Sequence, residues 1–79
     1  LQIILYSRQG CHLCTEAKEV LKDLQRDFSL EIIERNIDES EEWIEKYGLM
    51  IPVVESENET LQYGQIDYFS LRKRLQWKS

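Results

Sequence analysis

The sequence predicts an α/β domain with elements in the order strand, helix, strand, helix, strand, strand, helix (βαβαββα). Three observations carry this reading. Residues 2–6 form a short apolar run that includes the β-branched Ile3 and Ile4, as a buried strand requires. Leu13, Ala17, Val20, Leu21, Leu24 and Phe28 then recur at spacings of three and four among charged residues, which marks an amphipathic helix. Near the other end, residues 51–55 and 60–63 are apolar runs separated by the polar Ser56, Glu57, Asn58 and Glu59, which suits a hairpin.

The other elements follow in order. Ser7, Arg8, Gln9 and Gly10 make a loop, and the first helix is expected from about Cys11 or His12 to about Asp27. Residues 30–36 carry Leu30, Ile32 and Ile33 and are expected to form the second strand. Asp38 with Glu41 three residues on resembles a capping box. A short helix through Trp43, Ile44 and Tyr47 should follow, with Gly48 as its C′ residue. Asp67 is the expected N-cap of the last helix, with Tyr68, Leu71 and Leu75 on one face. Arg72, Lys73 and Arg74 then fall in its later part, where the helix dipole favours cations. The first strand–helix–strand unit should give two parallel strands with a right-handed crossover, and the hairpin adds antiparallel pairing.

A chain of 79 residues allows one domain, residues 1–79. Its 42% apolar and 32% charged residues fit a folded protein rather than a disordered one. A net charge of −5 speaks against nucleic acid as the main partner, because phosphate binding needs a basic surface. It also gives no attraction to an anionic membrane surface. No apolar run approaches the ~18 residues of a membrane span, and no signal peptide is visible. A cytoplasmic monomer is expected.

The two cysteines, Cys11 and Cys14, lie within four positions of each other. A bridge between them closes a very small loop and constrains the unfolded chain little, so chemistry rather than stapling is its purpose. The informative string is Arg8-Gln9-Gly10-Cys11-His12-Leu13-Cys14, placed where a buried strand hands over to a helix. A C-x-x-C pair at that junction reads as a redox motif. Unpaired N–H groups and the positive end of the dipole favour a thiolate there, and the thiolate is the nucleophile. Cys11 precedes the first full turn and should attack. Cys14 lies one turn further, on the Leu13–Ala17–Leu21 side, and should resolve the mixed disulfide. Arg8 and His12 are candidate cations beside Cys11, and His12 acts so only when protonated. Each also has a plainer reading, as a solvated loop charge and as an exposed residue at the helix start.

The pair has two rival readings. Tetrahedral zinc needs four ligands, and the chain offers no third Cys and only His12, so a zinc site would have to recruit carboxylates. No metal is expected. The rival reading as inert core residues is opposed by their place after a glycine loop. Pro52 is the second informative residue. It suits the first residue of a strand, or alternatively a cis bond after Ile51.

The order of elements, the Cys11-His12-Leu13-Cys14 motif and Ile51-Pro52-Val53 before a hairpin together resemble the glutaredoxin and thioredoxin superfamily. Residues 36–53 look like a compact glutaredoxin-like branch of it. The resemblance covers nearly the whole chain. It implies a thioredoxin fold, with a four-stranded mixed sheet flanked by three helices. It implies a cis bond before Pro52, packed beside the cysteines, with the backbone of Ile51 meeting the substrate. It also places Arg8 where glutaredoxins often bind glutathione through a basic residue. Gly64, Gln65, Ile66 and Asp67 fall where glutaredoxins hold the γ-glutamyl end. Several positions depart from that pattern: Tyr63 replaces a glycine, Ile66 a polar residue, Met50 a common threonine, His12 the usual proline and Leu13 the usual aromatic.

The expected function is thiol–disulfide exchange by a dithiol mechanism, with no bound cofactor and glutathione as co-substrate. Expected partners are protein disulfides or glutathionylated thiols, with a reductase as a possible recycling partner. The alternatives are a thioredoxin-like binding module that docks partners through its acidic surface and Trp43, and a scaffold for a bridging iron–sulfur cluster held by Cys11 from two chains with glutathione.

Overall fold

In the computed structural model, which describes residues 1–78, four strands form one mixed sheet. The elements are β1 (Gln2–Ser7), α1 (His12–Leu24), β2 (Glu31–Asn36), a 3-10 turn (Ile37–Glu39), α2 (Glu41–Tyr47), β3 (Val53–Ser56), β4 (Glu59–Tyr63) and α3 (Tyr68–Lys78). The strand order is β2-β1-β3-β4. β1 pairs parallel with β2 and antiparallel with β3, and β3 pairs antiparallel with β4. This is the predicted α/β arrangement, and it is a thioredoxin fold.

Alternation along the strands divides the apolar side chains between two faces. Ile3 and Leu5 of β1, Val54 of β3 and Leu61 of β4 meet Ala17, Leu21 and Leu24 of α1, Leu71 and Leu75 of α3, and Ile66. Tyr6 and Val53 point the other way and form a smaller cluster with Ile37 and Tyr47, flanked by Trp43, Met50 and Ile51. Thus α1 and α3 cover one face and α2 the other.

Several local details differ from expectation. α1 ends at Leu24, three residues short. Its last bonds tighten to three-residue spacing, with Arg26 N donating to Asp23 O (3.2 Å) and Asp27 N to Leu24 O (3.1 Å), so residues 25–27 form a turn. The N-cap of α2 is Ser40, whose hydroxyl accepts from Trp43 N (3.3 Å), rather than Asp38. Asp38 is drawn off into an ion pair with Arg8, while Asn36 Oδ1 caps the 3-10 turn through Asp38 N (2.9 Å). Gly48 sits in right-handed helical geometry (φ −54°, ψ −33°), not the left-handed C′ conformation. A Cβ there would lie 2.5 Å from the Ile44 carbonyl oxygen, so close approach is what calls for glycine.

The hairpin turns at Glu57 and Asn58, both with positive φ (53° and 66°), as a type I′ turn requires. The pairing skips from Val54↔Gln62 to Glu55↔Thr60, leaving a bulge at Leu61. Asp67 caps α3 as expected, its Oδ2 accepting from Ser70 N (2.8 Å). That hydrogen bond holds the Asp67 carboxyl below the usual carboxylate range.

Leu21 has no exposed surface and sits between the sheet and α3. Leu21→Ala should cost about 2–5 kcal/mol by lost transfer and residual cavity. The check is the shift of the urea unfolding midpoint; a change under about 0.5 kcal/mol would show that this core is not close-packed.

Candidate active site

The site begins where β1 gives way to α1. Cys11 N donates to Arg8 O (3.3 Å), closing a turn in which Gly10 has a φ of 80°. Cys11 is the N-cap of α1, with extended backbone (φ −92°, ψ 111°). Its Sγ accepts from Cys14 N (3.2 Å), so sulfur stands in the place where a serine or aspartate oxygen usually caps a helix. Its carbonyl oxygen accepts from Thr15 N (3.2 Å) and Thr15 Oγ1 (3.4 Å). No acidic side chain occupies the first turn. The positive end of the helix dipole therefore acts on Cys11 without a competing carboxylate in that turn.

Cys11 and Cys14 are joined as a disulfide, with 5.2 Å between their Cα atoms. Their surroundings differ. Cys11 is half-buried, whereas Cys14 is 2% exposed and faces the core. A reagent from solution thus meets Cys11 first.

The second part of the site is the segment leading into β3. The Ile51–Pro52 bond is cis. Tyr6 of β1 pairs with Val53, so Pro52 lies beside the Ser7 end of β1, from which the cysteine loop departs. Tyr47 O accepts from Met50 N (2.8 Å) and Ile51 N (3.0 Å), which turns the chain out of α2. Gly64 N donates to both Met50 O (2.9 Å) and Pro52 O (2.8 Å), tying the end of β4 to the same segment. Gly64 does this at a φ of 77°, where glycine carries no Cβ penalty.

Beneath this segment lies an aromatic plate. The rings of Tyr6 and Tyr47 stack at 4.1 Å, and Trp43 meets Tyr6 edge-on at 5.6 Å. The Arg35 guanidinium lies over Tyr6 (5.8 Å) and Trp43 (5.4 Å), and its Nη1 donates to Tyr6 Oη (3.1 Å). Tyr47 Oη donates to Glu55 Oε2 (2.7 Å). Burial pushes the Tyr47 phenol well above its ordinary pKa, and the hydrogen bond to Glu55 adds to the effect.

The residues singled out from the sequence fall into two groups. Cys11, Cys14, Arg8 and His12 share the loop and first turn of α1, while Ile51, Pro52 and Gly64 form the neighbouring segment. Both candidate cations have acidic neighbours. Arg8 donates from Nε to Asp38 Oδ1 (3.0 Å), and its Nη2 is 2.9 Å from the same oxygen. A half-exposed pair of this kind stabilises by only about 0.2–1 kcal/mol, so its main effect is to neutralise the cation. His12 is exposed and lies 3.6 Å from Glu16 Oε1. Gln65 is exposed, Asp67 is spent on capping α3, and the Ile66 side chain turns into the core. The sequence reading missed two residues that shape the site, Asp38 and Tyr47. Asp38 showed only as a cap candidate. Tyr47 showed only as one apolar position of a short helix.

A family model described as a glutaredoxin-like domain (DUF836) matches residues 2–76. Among solved structures, a structural genomics target from X. campestris is 29% identical with a TM-score of 0.83, the match covering 95% of this chain and 96% of that one. A protein from Nitrosomonas europaea, solved by NMR, is 29% identical with a TM-score of 0.81, covering 92% of this chain and 88% of that one. A mutant thioredoxin from Halobacterium salinarum shares the fold at 17% identity and a TM-score of 0.70, covering 96% of this chain and 72% of that one. Among the described residues, no helix is long and apolar enough to cross a membrane.

A phenol whose folded pKa is raised stabilises the fold fully below its unfolded pKa of about 10 and loses that contribution as pH rises. The protein should therefore lose stability above about pH 10 through Tyr47. Tyr47→Phe should show a shallower alkaline decline. Denaturant midpoints measured between pH 8 and 11 check this, and parallel curves for the two proteins would remove Tyr47 from the account.

Proposed function

The chain belongs to the glutaredoxin-like domain family (DUF836) of the thioredoxin superfamily, and on that premise we propose that it is a dithiol thiol–disulfide oxidoreductase. The observation that carries this reading is Cys11 at the N-cap of α1, bridged to a buried Cys14. In the reduced protein the Cys14 N–H and the helix dipole favour a thiolate at Cys11. That thiolate attacks one sulfur of a substrate disulfide and releases the other as a thiolate, which takes up a proton. Cys14 then gives up its proton and attacks Cys11 Sγ. The second substrate thiol leaves, and the bridge found in the structure forms. Two electrons pass from the protein dithiol to the substrate.

Substrates of this cycle are protein disulfides or glutathionylated thiols. No bound cofactor enters it. The oxidised pair regains two electrons from a thiol reductant, either glutathione or a reductase, and supplying each separately identifies which one serves. The half-buried position of Cys11 supports its role as attacker, because Cys14 cannot meet a protein disulfide without being uncovered.

Cys14→Ser should trap a mixed disulfide through Cys11, visible by mass spectrometry after incubation with an oxidised peptide. Cys11→Ser should trap none and should lose turnover to the background rate. Trapping only through Cys14 would reverse the two roles. Failure of the wild-type protein to cycle between dithiol and disulfide would leave a docking module as the better reading.

A further inference from the structure

Charge is not spread evenly over this molecule. β1 and β2 run parallel and finish together at Ser7 and Asn36. β4 finishes at the same end, because Tyr63 pairs with Val53 and Val53 with Tyr6. The cysteine loop, the 3-10 turn and the starts of α1, α2 and α3 therefore share one end of the sheet. Glu16, Asp38, Glu39, Glu41, Glu42 and Asp67 are all exposed there. Within residues 8–16, 37–42 and 63–68, Arg8 is the one permanent cation. Its guanidinium is paired with Asp38, and His12 faces Glu16.

The same end also exposes apolar surface. Leu13 beside the cysteines is 39% exposed, Tyr63 at the end of β4 is 59% exposed, and Leu49 in the turn before Ile51 is fully exposed. The bond from Gly64 N to Pro52 O keeps the Tyr63 end of β4 against the cis-proline segment. Apolar side chains and carboxylates exposed at the same end of the sheet as the cysteines suit a partner with apolar contacts and positive charge.

Resting on the dithiol reading above, we infer that the substrate is a polypeptide disulfide set in an apolar segment flanked by lysine or arginine. A small anionic disulfide such as that of glutathione meets repulsion from these carboxylates, and the cation nearest the cysteines in sequence, Arg8, is already paired with Asp38. A basic polypeptide gains attraction before contact, and the gain appears in the rate of association.

The test uses the full chain, reduced beforehand with dithiothreitol and freed of it, in single-turnover mixing with three disulfides. Two are synthetic peptides sharing one apolar disulfide loop, flanked by lysines in one and by glutamates in the other. The third is glutathione disulfide. At low ionic strength the lysine-flanked peptide should react about tenfold or more faster than the glutamate-flanked one, because field steering raises on-rates by that order. The ratio should shrink towards one in high salt, as screening requires. The double variant Glu41→Gln, Glu42→Gln should narrow the ratio and leave the rate with a serine-flanked version of the peptide unchanged. Equal rates for the two charged peptides, or a faster reaction with glutathione disulfide, would overturn the inference while leaving the dithiol reading intact. No exchange with any of the three would overturn both.

Discussion

β1 is the strand on which everything else is registered. It is central in the sheet, and its side chains are buried on both faces: Ile3 and Leu5 towards α1 and α3, Tyr6 towards α2. A one-residue slip would exchange these faces, so its register with both neighbours is strongly specified. Ser7 is therefore fixed next to Asn36 on one side and close to Pro52 on the other. The cysteine loop, the Arg8–Asp38 pair and the cis-proline segment come together because one short strand ends where it does.

At that end, helix capping and redox chemistry use the same hydrogen bond. The Cys14 N–H must find an acceptor, as every donor in a first helical turn must. It finds Cys11 Sγ. With a thiolate in place of the disulfide sulfur, the same donor would make a charge-assisted bond, which is roughly twice as strong as a neutral one. The helix start thus stabilises the charged form most. In the proposed cycle, a lower thiol pKa also makes Cys11 a better leaving group when a reductant thiol attacks the outer sulfur of a Cys11 mixed disulfide and returns the pair to the dithiol. Activation and release follow from one geometric fact, the position of Cys11 immediately before the first turn.

The parts legible in the sequence are those set by local pattern. The period of Leu13, Ala17, Leu21 and Leu24 gave α1, the polar run at 56–59 gave the hairpin, and Asp67 gave the cap of α3. The cysteine motif was legible because its meaning depends on the strand–helix junction in which it sits. Asp38 was misread because its carboxylate had two possible uses, and the choice was made by Arg8, which lies thirty residues earlier and comes close only through the parallel pairing of β1 and β2. Gly48 was misread for a related reason: its glycine answers the Ile44 carbonyl, not a left-handed turn. The cis bond at Pro52 could not be read from local statistics, and only the family resemblance pointed to it. The pairing of Arg8 also lay beyond the sequence, since it depends on which carboxylate the parallel strands bring near it.

The size of the domain adds a last consequence. A chain of 79 residues buries little more than it needs, and its net stability is expected to be only a small difference between large terms. Tyr47 closes the α2 face by stacking on Tyr6, anchors Glu55 through its hydroxyl, and through its carbonyl holds Met50 and Ile51 in place. The residues that complete the second core are thus the ones that shape the segment facing the cysteines. Packing and site geometry are coupled here, so substitutions at Tyr6, Trp43 or Tyr47 act on stability and on exchange chemistry together. On the opposite face, Leu75 lies about two turns along α3 from the cysteine end, and its effect belongs to stability alone.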